Sequence, residues 1–274
     1  MNKSNIEEFN DKWQSLTISN DFIFAKVMKD KEICKELIET LLNIKIKEIK
    51  YITEQKSINI RYDAKSIRLD VYVEAENKIY NIEMQVINKK DLAKRSRYYQ
   101  DLIDLDIIEK GGIYKNLKES YVIFICTFDP FEEGRPKYEF ENYCKQNKNL
   151  ELKDGTHKIF FNTKAFEKED DENLKAFLKY VNGEKENNNF VKKLNNKIKN
   201  IKESKEWRQE YMTLLMRERE IAEENFEQGI KQGIQQGMLK QIKALKQFNI
   251  SDDKIIEKIK EDYNISEEEI KKYL

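Results

Sequence analysis

Apolar residues in the first half of the chain recur first at helical spacing and then at strand spacing. Phe22, Ile23, Ala25, Val27, Ile33, Leu37, Leu41 and Leu42 predict a helix over 21–43, capped by Asn20 or Asp21. A first strand is expected over 57–63. Over 66–75 the alternation is strict, with Ile67, Leu69, Val71 and Val73 on one side and Arg68, Asp70, Tyr72 and Glu74 on the other. The next strand covers 78–87, after a turn at Glu76-Asn77. Helical spacing returns over 91–109 and is closed by Gly111-Gly112. The apolar run from Tyr121 to Phe128 reads as a buried strand ended by Asp129-Pro130, and 136–144 with 156–163 as a further strand pair. The order helix, three strands, helix, strand is that of an α/β fold.

After about Asp170 the strand signals stop. A short helix is expected over 171–182, a polar break at Asn187–Asn189, and long, highly charged helix from Val191 to about Phe248. This divides the chain into a core over 1–182, a helical extension over 183–248 and a small helical cap over 249–274. Within the extension Gly229, Gly233 and Gly237 recur every four residues, beside Phe226, Ile230, Ile234 and Met238. Glycine inside a helix costs roughly 1 kcal/mol against alanine, so three in register call for a reason. Small residues at this spacing let a second helix approach closely, which points to a homo-oligomer formed through this helix; a flexible arm is the alternative. In the cap, Asn249-Ile250-Ser251 and Asn264-Ile265-Ser266 each introduce a short charged helix, and Ser266 with Glu269 fits a capping box.

Composition narrows the chemistry. Three cysteines and one histidine among 274 residues leave no disulfide framework and no multi-histidine zinc site. His157 lies in a polar stretch and reads as a solvated or hairpin residue. Basic and acidic residues balance at 51 each, so any nucleic-acid contact needs a local patch. The Lys/Asn-rich stretch 192–205 reads as a solvated helix face. Met1–Phe9 is polar and lacks a signal-peptide core, no membrane span is expected, and a cytoplasmic location follows.

The hairpin carries the sharpest chemical pattern. With the turn at Glu76-Asn77, Ala75 faces Lys78, Val71 faces Ile82, Asp70 faces Glu83 and Arg68 faces Gln85. Cross-strand partners on one face have Cβ atoms roughly 4.5–5.5 Å apart, and like charges so placed are destabilising. A divalent cation removes that penalty, because Mg²⁺ takes hard oxygen ligands. A solvated face with both carboxylates paired to Arg68 or to lysines is the bland alternative.

Asp70, followed on the next strand by Ile82-Glu83-Met84-Gln85, then Arg95-Ser96-Arg97-Tyr98-Tyr99, Gly112-Ile113-Tyr114 and the apolar strand 121–128, resembles the PD-(D/E)XK nucleases. The likeness is closest to their recombination-promoting or transposase-associated branch. Asn20-Asp21-Phe22-Ile23-Phe24 and the glycine repeat resemble the two ends of that family's pattern. The resemblance implies a restriction-endonuclease-like core (helix, three-stranded antiparallel meander, helix, strand) followed by an α-helical extension. It implies a DNA endonuclease using Mg²⁺, with Mn²⁺ or Ca²⁺ as substitutes. Asp70 and Glu83 would be metal ligands, and Gln85 would stand where the family pattern has lysine, able to orient water but bringing no charge. Arg68 could compensate. An additional acid from the first helix is expected, with Asp21 or Glu36 the leading candidates beside Glu32 and Glu39. Arg68, Arg95, Arg97 and Tyr99 are candidate DNA contacts. Two other readings compete: a nuclease-like module without activity, and a helical scaffold that would leave the paired carboxylates unexplained.

Overall fold

The computed structural model describes residues 3–58, 67–108 and 111–274. They form two compact units, residues 1–208 and 209–274.

The first unit opens with α1 (Lys3–Ser15), α2 (Asp21–Met28) and α3 (Lys31–Leu42). The single helix expected over 21–43 is therefore two. Asn20 caps α2 by accepting from Ile23 N–H at 3.2 Å, and Asp30 caps α3 by accepting from Ile33 N–H at 3.3 Å. Apolar spacing runs on across Lys29-Asp30 and hides the break, while the Asp30 carboxylate supplies the second start. Every residue of α2 from Phe22 to Met28 is buried. A helix apolar on all sides belongs inside a fold, and α2 lies between strands on one side and α3 and α6 on the others.

Strands β1 (Ile49–Ile58), β2 (Ile67–Ala75) and β3 (Lys78–Gln85) come next, then α4 (Leu92–Ile107), β4 (Glu119–Cys126), β5 (Lys137–Phe140), β6 (Tyr143–Cys144), β7 (Asn147–Glu151), β8 (Thr156–Asn162), α5 (Glu172–Val181) and α6 (Asn189–Glu203). The sheet order is β1-β2-β3-β4-β8-β5, with β6 and β7 a separate pair. The strand expected over 57–63 begins earlier, at Ile49, and residues 59–63 lie outside the described residues. Among the described residues β1 is an edge strand paired with β2, which fits its polar sequence. The expected helix over 91–109 ends at Ile107, and position 109 too lies outside the described residues. The expected pair 136–144 and 156–163 is present as β5 antiparallel to β8.

The β2–β3 turn has φ of 49° at Glu76 and 64° at Asn77. Two positive values make a type I′ turn, whose twist suits a tight hairpin. The ladder runs from Ala75↔Lys78 to Val71↔Ile82 in the register expected. β3 then pairs in parallel with β4 from Lys78↔Glu119 to Gln85↔Cys126, with α4 as the crossover between them. Leu92, Tyr99, Leu102 and Ile103 of α4 bury Ile79, Val122, Phe124 and Phe160 of the sheet, with Phe124 and Phe160 stacked at 5.3 Å. The layers are thus α4, sheet, and α2 with α3. His157 is not simply solvated: on β8 it stacks on Tyr121 at 4.3 Å and bonds Glu119 at 3.0 Å and Glu141 at 3.1 Å.

The second unit holds most of α7 (Lys205–Gln247), with α8 (Asp252–Tyr263) and α9 (Glu267–Ile270). Met238, Ile242, Ile255, Ile259 and Ile270 form its core. Gly237 lies under Tyr263, whose hydroxyl would stand 3.2 Å from an added Cβ; nothing lies within 4 Å of one added at Gly229 or Gly233. Phe226, Ile230 and Ile234 beside them are exposed. No helix among the described residues is long and apolar enough to cross a membrane.

Candidate active site

β2 and β3 part company one rung short of the two carboxylates. The ladder ends at Val71↔Ile82, yet β3 stays with β4 through Gln85, whose carbonyl also accepts from Thr127 N–H at 2.9 Å. Across the opening the side chains take over the rungs. Asp70 N–H donates to Glu83 Oε1 at 3.1 Å, and Met84 N–H donates to Asp70 Oδ2 at 3.1 Å. The strand ends are thereby bridged, and the two acids are held next to each other, Asp70 partly exposed and Glu83 buried.

Burial pushes the Glu83 carboxyl well above the ordinary carboxylate range, and the charge of Asp70 pushes it further. The Asp70 backbone N–H, the Asn81 amide and Arg95 pull the other way. A buried acid beside a second acid is a site short of positive charge. Asn81 lies two residues before Glu83 on the same strand face, fully buried, with its amide near enough to favour the Glu83 carboxylate but in well-formed hydrogen-bond geometry with no group.

Arg95, one turn into α4, closes the other side. Its Nη1 donates to Gln85 Oε1 at 2.7 Å and its Nη2 to the Tyr99 hydroxyl at 2.8 Å. Nη2 stands 3.9 Å from Glu83 Oε2. Burial works against the Arg95 charge, but Tyr99, Glu83 and Asp91 outweigh it and the net shift is upward. The Gln85 amide is engaged at both ends, because its Nε2 donates to the Met84 carbonyl at 2.8 Å.

These groups border a cleft of about 480 Å³ between the start of α2 (Ser19, Asn20, Asp21), the end of β3 with its loop (Met84 to Ile87, Lys89), and Asp91, Arg95 and Tyr99. The structure brings Asp21, Gln85, Arg95 and Tyr99 of the expected set to this cleft; Asp70 and Glu83 do not line it and adjoin it through Met84 N–H and Arg95. It does not bring Glu36, which bonds Lys193 at 2.6 Å on the outside of α3. Glu39 accepts from Ile46 N–H at 2.8 Å, and Glu32 shares the same acidic surface. Arg97 is exposed on α4 and does not line the cleft. Arg68 is paired with Ser57 of β1, and since the β2–β3 ladder stops at Val71 it has no rung with Gln85; its side chain lies outside the described residues. The partner of Gln85 is Arg95. Sequence reasoning missed that contact and missed Asn81. The signals were the i,i+4 spacing of Arg95 and Tyr99 on one helix and the common parity of 81, 83 and 85 on one strand.

Among the described residues no three His, Cys, Asp or Glu side chains are gathered as a closed cage. The donor set is two adjacent carboxylates, one of them buried without full compensation. That chemistry fits a hard divalent cation that keeps much of its water shell and takes one or two protein carboxylates.

A family model described as PD-(D/E)XK nuclease family transposase matches residues 18–231. Neither a curated protein nor a solved structure matches the chain.

Proposed function

The chain belongs to the PD-(D/E)XK nuclease family transposases, and from that premise we propose that it is a DNA endonuclease that hydrolyses phosphodiester bonds with the help of Mg²⁺ at Asp70 and Glu83. The observation that carries this reading is the carboxylate pair held where β2 and β3 separate. A divalent cation there would polarise the phosphodiester and lower the pKa of the attacking water; Mn²⁺ or Ca²⁺ would serve as substitutes for binding. The chain's own part is to fix Asp70 and Glu83 on backbone amides, to keep Glu83 dry under α4, and to leave the cleft open beside Asp21. Asp21 is the additional acid in this scheme, since it lines the cleft and Glu36 does not. Tyr99 borders the path of the DNA. Family membership supports an association with recombining or mobile DNA.

One observation favours a second reading, a binding module of little activity. Gln85 has its carbonyl on Arg95 and an N–H on Met84, so its amide is not disposed to orient water. Supercoiled plasmid incubated with Mg²⁺, Mn²⁺ or EDTA, beside Asp70→Ala and Glu83→Ala proteins, separates the two. Metal-dependent nicking that both substitutions abolish supports the nuclease. DNA binding without cleavage by the unsubstituted protein moves the assignment to the module.

The same proposal assigns a second copy of the chain to the open face of α7. Residues 218–227 carry five glutamates and one arginine, and 228–247 carry four lysines and no acid. An antiparallel pair centred on Gly229 and Gly233 sets the acidic half of one helix against the basic half of the other and covers Phe226, Ile230 and Ile234. A monomer mass in light scattering at high concentration and low salt would refute it.

A further inference from the structure

The proposed reaction adds negative charge to a site already built from two carboxylates. Hydrolysis of a phosphodiester develops further charge on the phosphoryl oxygens in the transition state, and fixed positive groups aimed at that charge are an effective means of lowering the barrier. Among the described residues two cationic side chains border the cleft. Lys89 is exposed on the loop after β3. Arg95 is three-quarters buried, tied through Nη1 to Gln85 and through Nη2 to Tyr99, and set against the rings of Tyr99 and Phe124 at 5.3 and 5.6 Å. A guanidinium so held keeps one orientation and loses little to solvent when the reaction charge appears.

We infer that Arg95 is the catalytic cation of this site and that Gln85 is its positioning residue, the two acting as one unit in place of a single charged side chain at position 85. This rests on the nuclease reading above. Three features carry it. The 2.7 Å bond spends the Gln85 carbonyl on Arg95. The Gln85–Met84 bond holds the amide in the orientation that presents that carbonyl. The 3.9 Å approach of Nη2 to Glu83 places the charge beside the carboxylate pair. Arg95 donates to and faces the phosphoryl group; no proton leaves it and no bond to it forms.

The test compares Arg95→Met, Gln85→Lys and the double variant in plasmid cleavage with Mg²⁺. DNA affinity is measured in parallel by fluorescence anisotropy with Ca²⁺. Arg95→Met is expected to lower kcat roughly 100- to 1,000-fold with affinity changed less than the rate. Gln85→Lys alone gives no gain, because the new ammonium is set against Arg95. In the double variant the lysine restores at least part of the rate, so Gln85→Lys raises the rate only in the Arg95→Met background. Arg95→Lys keeps the charge but not the fork, and falls between. Cleavage by Arg95→Met at the unsubstituted rate, or a loss confined to DNA affinity, overturns the inference. So does a folded double variant, by circular dichroism, that remains as slow as Arg95→Met. Cleavage lost in Asp70→Ala but kept in Arg95→Met refutes this inference and leaves the nuclease; no cleavage by the unsubstituted protein refutes both.

Discussion

Glu83→Gln should stabilise the protein in the absence of added divalent cations. Glutamine nearly matches the volume of Glu83 and keeps the Oε1 acceptor for Asp70 N–H, 3.1 Å away. It removes a charge that burial opposes first and Asp70 second. A buried polar group left poorly compensated costs about 1–3 kcal/mol. Arg95, 3.9 Å away, offsets part of this, so a gain of about 1–2 kcal/mol follows. In a unit spanning residues 1–208, each kcal/mol moves Tm by about 2–4 °C, giving a rise of about 2–8 °C. The sign of the pH dependence is fixed by the direction of the shift. The folded chain holds the Glu83 proton more tightly than the unfolded chain, whose carboxyl titrates near the ordinary 4.5. Stability of the unsubstituted protein therefore falls as pH rises from that value through the folded one, by at most about 1.4 kcal/mol per pH unit from this group. Glutamine has no such slope, so its advantage widens toward higher pH. Thermal melts by circular dichroism across pH 4.5–8 in EDTA measure both. A variant that melts below the parent throughout, or at a gap that ignores pH, refutes the strained pair.

Two other substitutions probe the framework. Asp30→Ala removes the α3 cap and the 2.9 Å bond to Lys197 and should cost about 1 kcal/mol in urea melts at pH 7. The Lys197 bond leads in holding the Asp30 carboxyl below its usual 3.8, so this stability is present above that value, is lost as pH falls through the folded one, and the gap to the parent should close in acid. Asn81→Leu removes a buried amide that makes no well-formed hydrogen bond but favours the Glu83 carboxylate, so Tm in EDTA should hold or rise while Mg²⁺ affinity by calorimetry falls.

Much of the site was legible before the fold. Strict alternation over 66–75 and the Glu76-Asn77 turn fix the register, and a one-residue slip would send every side chain to the wrong face. From the register the meeting of Asp70 and Glu83 follows by counting. The backbone ladder stops at Val71, one rung before that pair, where side chains rather than strand pairing join Asp70 and Glu83, and the rung that set Arg68 opposite Gln85 is absent. Arg95 reaches Gln85 from α4, and helix-to-strand contacts of that kind have no period to read. The β6–β7 hairpin was missed because Asn147–Glu151 is exposed throughout, and without a buried face a strand has no alternation. The break before Asp30 was missed because both short helices are apolar enough to mimic one.

The two side-chain rungs between β2 and β3 have a temporal consequence. Asp70 and Glu83 are held by Met84 N–H and Asp70 N–H, bonds that belong to the chain itself. The carboxylates are in place once the sheet has formed, so on the proposed reading an arriving ion would find a finished seat. Exchange of such an ion would then run at the pace of dehydration and diffusion, not of refolding.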